Sequence, residues 1–453
     1  MKIIGIEPKS PHIHIFTKYA YIMRLGLVLL GTILKKSGHD VKIFVEEMSK
    51  IDWEEVSKAD LVMISTITST TTRAYDFASQ ISARGIPVVL GGPHPTAMPE
   101  EAINYADFVV RGEGEDVILS LIEAIKTGSG FEKINGLYYK LFGKIYCNQF
   151  IPQWCVLDKY PIPDFSLIEK WGSSKIVSIQ TSRGCPYNCK FCSVTEMFGR
   201  KMRFKSDRRV IDEIKLILPC PHIFFCDDNF AANINRTKRL LRRMICEKLN
   251  IQWSTQVRTE AAKDEELVML MKKAGCLSVC IGMESVNPES LKEAKKKQSV
   301  EDIVNSIKSF HDFGIRVHGM FVIGFDSDDI NTIKKTTRFA IKNKIDSVQI
   351  MILTPLPGTP VFEELKQEGR LLHTDWSRYD AHHVVFKSKI YPERLQIEAI
   401  KATAKFYSWW QIIKRFVRLD SYGITIKFYG HNLTQKWKKE MKDYLEELKD
   451  KIK

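Results

Sequence analysis

Two runs of alternating strand and helix patterns, separated by an irregular stretch, constrain this chain more than any other feature. Over residues 1–126, short apolar segments at 2–6, 40–44, 61–65, 87–90 and 108–110 have the length and composition of strands, and helical periodicity fills 22–36, 71–83 and 115–126. Parallel neighbours need crossover connections, so this alternation predicts a doubly wound, Rossmann-like parallel sheet with helices on both faces. Residues 127–175 lose the pattern, and the stretch Pro161-Ile-Pro-Asp164 marks them as a crossing between domains. The alternation then resumes, with strands expected near 176–181, 222–227, 251–256, 277–283, 316–323 and 347–353. Helices are expected near 207–218, 236–248, 264–273, 300–313 and 328–343. Six such units predict a partial (β/α)6 barrel of the TIM type. The expected division is an α/β domain over 1–135, a linker over 136–175, the barrel over 176–370 and a mostly helical segment over 371–453.

Composition narrows the function classes. Hydrophobic residues make up 44% of the 453 and charged ones 27%, values that exclude disorder, collagen and a coiled coil. No apolar run reaches the roughly 18 residues of a membrane-spanning helix. The best candidate, 21–34, is interrupted by Arg24 and reads as a buried helix. The chain opens directly into a strand, so no cleavable signal is expected. Ten cysteines are too dilute for a disulfide scaffold. They point to a reducing cytoplasm, where clustered cysteines bind metal or do chemistry. The formal charge is +14, and residues 401–453 hold 13 Lys+Arg against 6 Asp+Glu. That excess suits an anionic surface as well as it suits a solvated tail.

In parallel sheets ligands sit beyond the carboxyl ends of the strands. In the first block those ends carry small or turn-forming residues: Thr66 to Thr72, Gly91-Gly-Pro-His-Pro95 and Arg111-Gly-Glu-Gly-Glu115. They let a bulky planar ligand approach the backbone. In the second block the decisive stretch is Arg183-Gly-Cys-Pro-Tyr-Asn-Cys-Lys-Phe-Cys192, just after an expected strand. Cys185, Cys189 and Cys192 stand at CxxxCxxC spacing. A tight loop with Gly184 and Pro186 can fold three thiolates around one cubic [4Fe-4S] cluster, leaving one iron open to a substrate or cofactor. A structural zinc site takes four protein ligands. Cys220, Cys226, Cys276 and Cys280 could supply a fourth, but none shows a paired CxxC spacing. A nucleic-acid-binding protein, the class suggested by charge alone, would leave this loop unexplained.

The loop resembles that of the radical S-adenosylmethionine enzymes. Later strand ends extend the resemblance: Phe225-Cys-Asp-Asp-Asn-Phe230, Gly282-Met-Glu-Ser285, Gly319-Met-Phe-Val-Ile-Gly324 and Leu353-Thr-Pro-Leu-Pro-Gly-Thr-Pro360. It implies that the open iron chelates S-adenosylmethionine and that an external electron donor drives its cleavage. It also implies that Phe191 borders the adenine, which Ile323 and Gly324 flank. Glu284 and Ser285 would lie near the methionine amino group, and Gln256 and Arg258 would face the ribose or carboxylate.

The first block is similar to the cobalamin-binding domain that precedes the radical domain in one large subfamily. The match rests on Gly91-Gly-Pro-His-Pro95 and Asp107-Phe-Val-Val-Arg-Gly-Glu-Gly-Glu115. The resemblance, which covers roughly residues 1–370, implies that Thr66, Ser69, Thr70, Gly91, Gly92, His94, Arg111, Gly112 and Glu113 face cobalamin. His94 would position the loop near the corrin edge without binding cobalt. The DxHxxG sequence of other cobalamin proteins is absent; the corresponding loop, Glu7-Pro-Lys-Ser-Pro-His-Ile-His14, implies a corrin bound without a protein histidine. The expected function is methylation of an unactivated carbon in a small-molecule or lipid substrate. Such a carbon has no accessible proton for a general base, so a radical must remove the hydrogen. The alternative keeps the cofactors but performs cyclisation, ring rearrangement or carbon–carbon coupling.

Beyond the barrel, Phe406, Trp409, Trp410, Ile413, Phe416 and Val417 recur at helical spacing, with Lys405, Lys414, Arg415 and Arg418 among them. Such a helix can rest on an anionic bilayer, as a peripheral contact at the inner membrane face. A six-strand barrel also leaves an open side, and we expect this stripe to cover it as a lid.

Overall fold

The computed structural model describes residues 1–12, 21–152, 155–173, 176–417 and 419–450; His14 and Arg418 lie outside them. The first sheet has seven strands, which lie side by side in the order 40–45, 2–7, 61–65, 88–91, 108–110, 137–141 and 144–147. Its strands β1 (Lys2–Glu7), β2 (Asp40–Val45), β3 (Leu61–Ser65), β4 (Val88–Gly91) and β5 (Phe108–Val110) are parallel. Chain order reverses between β1 and β3, which opens a crevice beyond their carboxyl ends.

Two expectations change here. The stretch read as linker begins with an antiparallel hairpin, β6 (Leu137–Leu141) and β7 (Lys144–Cys147), which extends the sheet. Its turn, Phe142-Gly143, has φ of +49° and +75°, a two-residue reversal without the Asn-Gly signature. The edge strand β7 is exposed along its whole length, so it carries no apolar alternation. The helix expected over 22–36 starts later, at Gly26–Lys36. Residues 21–25 are held out of it by Glu7, buried at the end of β1, which binds Arg24 at 2.9 Å and accepts a hydrogen bond from Tyr21.

The second sheet contains β8 (Val177–Ile179), β11 (Ile223–Phe225), β12 (Trp253–Val257), β13 (Cys276–Glu284), β14 (Arg316–Ile323) and β15 (Ser347–Ile352), all parallel, each beside its predecessor. A short antiparallel ladder, β9 (Ser182–Arg183) with β10 (Arg203–Phe204), follows β8. Register aligns Gln256 with Cys280 and Cys280 with His318. Their alternate neighbours Val257, Val279, Ile281 and Val317 fill the core beneath the helices. By the two-residue period of strands, Gln256, Cys280 and His318 face the concave side.

The cover of the open side exists, but other helices make it. Leu395, Ala399 and Phe406 from Pro392–Phe406, with Leu433, Trp437, Met441 and Tyr444 from Ser421–Asp450, join the barrel core. The Tyr407 hydroxyl donates to the Val348 carbonyl at 2.8 Å and accepts from its amide at 2.9 Å; the Ala381 carbonyl accepts from the Ile352 amide at 2.9 Å. These contacts satisfy the edge of β15 where a further strand would pair. Of the expected lid stripe, by contrast, only Phe406 is buried, while Trp409, Trp410, Ile413, Phe416 and Val417 stand exposed. Helix Trp409–Val417 sits beside the amino end of β15, where Arg415 donates to the Lys344 carbonyl at 3.3 Å, and so lies away from the barrel mouth. Among the described residues, no helix is long and apolar enough to cross a membrane.

Candidate active site between the two sheets

The cysteine loop leaves the carboxyl end of the barrel through β9 and returns through β10. Gly184 has φ of +92°, and a Cβ there would stand 2.7 Å from the Lys201 carbonyl oxygen, so the turn requires glycine. The Cys185 amide donates to the Gly199 carbonyl at 3.3 Å and the Cys192 amide to the Cys189 carbonyl at 3.1 Å. Asp227, fully buried beyond β11, anchors the approach to the loop. It accepts from the Thr181 amide at 3.0 Å, the Thr181 hydroxyl at 2.9 Å and the Ser182 hydroxyl. Burial pushes the Cys192 thiol up to about 12 and raises Cys185; the neighbouring Cys189 acts on both in the same direction. Thiolates so placed need a compensating cation. Three free thiols on one loop fit a three-thiolate cluster. Among the described residues, no three His, Cys, Asp or Glu side chains gather as a single metal ion would require.

The residues expected around S-adenosylmethionine stand at this same mouth. The Arg258 guanidinium lies 3.6 Å from the centre of the Tyr187 ring, inside the cysteine loop, and pairs with Glu260 at 3.0 Å. Glu284 has φ of +57° at an irregularity in β13, and its carboxylate pairs with Lys296 at 2.7 Å in a largely buried bridge. That pair folds over Gly282, whose Cβ would stand 2.6 Å from Glu284 Oε1. A non-glycine residue held at positive φ costs on the order of 1–3 kcal/mol, a strain typical of ligand-binding positions. The buried Ser285 hydroxyl accepts from the Asn287 amide at 3.1 Å. Phe191 meets Phe325 edge-on at 6.2 Å, next to Ile323 and Gly324. Gly324, with φ of +102°, turns its Cβ direction towards Leu395 of the cover.

Sequence reasoning missed Tyr187, Lys296 and Asp228. Buried oxygens Oδ2 of Asp228 and Oδ1 of Asn229 have no protein partner among the described residues. Burial, and then the neighbouring Asp227, push the Asp228 carboxyl up to about 7. The acidic pair in Phe225–Phe230 signals Asp228. Lys296, inside a run of three lysines, carries no such signal.

An apolar cavity of about 380 Å³ separates the two sheets. Ser65, Ile67, Gly91, Gly92, Gly112 and Glu113 line it from the strand ends of the first sheet, with Met23, Leu25 and Leu30 from the segment after β1. Gln180, Arg183, Met197, Phe198 and Cys226 face them from the barrel. A second hollow of about 430 Å³ shares Gly112, Glu113 and Met197. Bare glycine backbone and apolar walls at a topological switch point suit a flat macrocycle such as a corrin.

Of the residues expected at cobalamin, Gly91, Gly92, Gly112 and Glu113 reach this wall. The Thr66 and Thr70 hydroxyls bond each other at 2.8 Å, and Ser69 is buried in the same turn. His94 is fully buried, 3.4 Å from the Thr68 hydroxyl and edge-on to Trp376 at 5.1 Å. Arg111 lies over Phe150 at 4.7 Å, in the second hollow. His12 bonds Ser377 at 3.2 Å and stands 4.9 Å from the His383 ring, off the cavity wall.

Glu113 also ties the domains together. It binds Arg203 twice, at 2.7 and 2.6 Å, lies 3.3 Å from Arg183 and accepts from the Cys155 thiol at 2.8 Å. Glu115 takes Arg183 at 2.6 Å. The residue that opens the cysteine loop is thus salt-bridged to the glycine-rich loop of the other domain. At Gly92, with φ of +101°, a Cβ would stand 2.6 Å from the Thr66 carbonyl oxygen. Gly92→Ala is therefore expected to cost roughly 1–3 kcal/mol and to lower the corrin retained per protein. Thermal melting and the visible spectrum of cobalamin-loaded protein check this, and two unchanged readings would contradict it.

Comparison with known proteins finds matches for both halves of the chain. The family model for the radical SAM superfamily matches residues 179–340 and that for the B12 binding domain matches residues 13–122. An uncharacterized methyltransferase of Pyrococcus horikoshii is 33% identical over 403 residues, spanning 84% of this chain and 87% of that protein. Bacteriochlorophyllide d C-12(1)-methyltransferase of Chlorobaculum tepidum is 29% identical, spanning 91% of this chain and 89% of that protein. Among solved structures, the cobalamin-dependent S-adenosylmethionine radical enzyme OxsB, with aqua-cobalamin and S-adenosylmethionine bound, superposes with a TM-score of 0.73 at 16% identity. It covers 98% of this chain and 75% of that one.

Proposed function

Since the chain belongs to the cobalamin-dependent radical S-adenosylmethionine enzymes, we propose that it methylates an unactivated carbon of a small molecule. The family sets the cofactors: a [4Fe-4S] cluster, S-adenosylmethionine and cobalamin. One observation carries the reading. A single cavity has the glycine strand ends of the first domain on one side and the cysteine loop's flank, through Arg183, Met197 and Phe198, on the other. The bound groups supply hydrogen abstraction and methyl transfer; the protein positions them and keeps water out. Cys185, Cys189 and Cys192 hold the cluster. Phe191, Ile323 and Gly324 flank the adenine, Glu284 and Ser285 receive the amino group, and Gln256 and Arg258 orient the ribose and carboxylate. Gly91, Gly92 and Gly112 admit the corrin, while Glu113 fixes the loop that carries it. Asp228 and Asn229, with free buried oxygens, offer polar contacts to a substrate.

The concave face bears Gln256, Cys280 and His318, and burial pushes the His318 imidazole down to about 4, so it is neutral near pH 7. A small molecule with a polar group to anchor and an apolar body fits this wall, and lipids belong to that class. Free cysteines throughout and dependence on an external electron donor support a cytoplasmic enzyme. The test is anaerobic turnover with methyl-labelled S-adenosylmethionine on small-molecule and lipid extracts of cells lacking the enzyme. The expected result is a product carrying the label on carbon. A substrate consumed without label would replace methylation by ring formation or carbon–carbon coupling.

A further inference from the structure

We infer that the aromatic face of helix Trp409–Val417 docks this enzyme on an anionic lipid bilayer. Of this helix only Ile412 is buried, whereas Trp410 is 61% exposed, Phe416 67% and Leu419, just beyond, 89%. Phe428 and Tyr429 of the next helix are exposed as well, and Phe428 meets Trp409 edge-on at 6.1 Å. Folded proteins rarely leave so many large apolar side chains together without a partner.

Charge identifies the partner. Residues 399–419 contain five basic residues and no acidic one; Lys401 and Arg415 pair with the flanking Glu398 and Asp420, which leaves the attraction chiefly to Lys405 and Lys414. Lys405 and Lys414 are exposed, and the Lys414 ammonium lies 5.4 Å from the Trp410 ring. Aromatic rings can sink to the level of the acyl chains while lysines extend to anionic headgroups. A second copy of the chain would instead set like charges against each other. The patch also lies at the amino end of β15, beside Lys344 and Asp420, where Arg415 bonds both. The cysteine loop leaves the opposite ends of the strands. Docking therefore holds the barrel mouth off the bilayer, and vesicles should leave cleavage of S-adenosylmethionine unchanged.

The experiment is co-sedimentation of the full chain with phosphatidylglycerol or phosphatidylcholine vesicles. Wild-type protein should pellet with phosphatidylglycerol and release at high salt. The double variant Trp410→Glu, Phe416→Glu should stay in the supernatant at an unchanged melting temperature. Lys405→Glu with Lys414→Glu should weaken binding by roughly tenfold or more. Wild-type protein that ignores phosphatidylglycerol, or pelleting untouched by Trp410→Glu, Phe416→Glu, would overturn the inference. So would a wild-type dimer that this variant turns into a monomer, which would give the face to a second copy.

Discussion

Replacing Cys185, Cys189 or Cys192 by alanine is expected to strip anaerobically reconstituted protein of its cluster absorbance and reduce 5′-deoxyadenosine formation to background. A three-thiolate site has no spare ligand on its loop, so each loss is complete. Cys276→Ala and Cys280→Ala should keep both signals. Cys276 belongs to the barrel core, its thiol 3.6 Å from the Ser278 carbonyl. Cys280 lies within β13, where burial pushes its thiol up to about 12. The measurement is the visible spectrum, iron content and product chromatography of all five variants. Wild-type protein that holds zinc and no iron after reconstitution would remove the basis of the whole reading.

The second large effect is expected at the seam between the domains. Glu113, Arg183 and Arg203 are each at most 9% exposed at their side chains, so deleting Arg203 removes both of the short guanidinium bonds to a buried carboxylate and leaves it Arg183 at 3.3 Å. Arg203→Leu should therefore lose about 1.5–3 kcal/mol of stability and release cobalamin, because Glu113 lines the cavity proposed for it. Removing both charges, Arg203→Leu with Glu113→Leu, should recover much of that loss, since Arg183 keeps Glu115. Urea unfolding and bound-corrin absorbance read the cycle. A single variant as stable as wild type would show that the bridge contributes nothing to the seam.

The positions of the parallel strands and the cysteine loop were legible because both are local. Apolar runs of three to eight residues with intervening helical periods name their own elements, and CxxxCxxC names its own ligands. What escaped depends on contacts distant in sequence. The hairpin Leu137–Cys147 has an exposed edge and an atypical turn, so neither periodicity nor turn residues announced it. Residues 21–25 read as helix by pattern, but Glu7 takes Arg24 and Tyr21 into a buried network instead. The aromatic stripe around Trp409 has helical spacing, and spacing alone does not say which neighbour, if any, it meets. Likewise Thr66 and Thr70 lie at the right strand end, yet their hydroxyls close their own turn.

The helix that seals the barrel has a consequence for the order in which this protein is made. Strands β14 and β15 leave the ribosome well before Trp437 and Tyr444, which join the same core from residues made much later. Until that helix emerges, a nascent barrel shows one apolar flank to water, the kind of surface that chaperones bind. The cysteine loop is made before Trp437 and Tyr444, so the barrel that presents it is complete only after they arrive. Assembly of the metal centre would then follow synthesis as a separate, post-translational step.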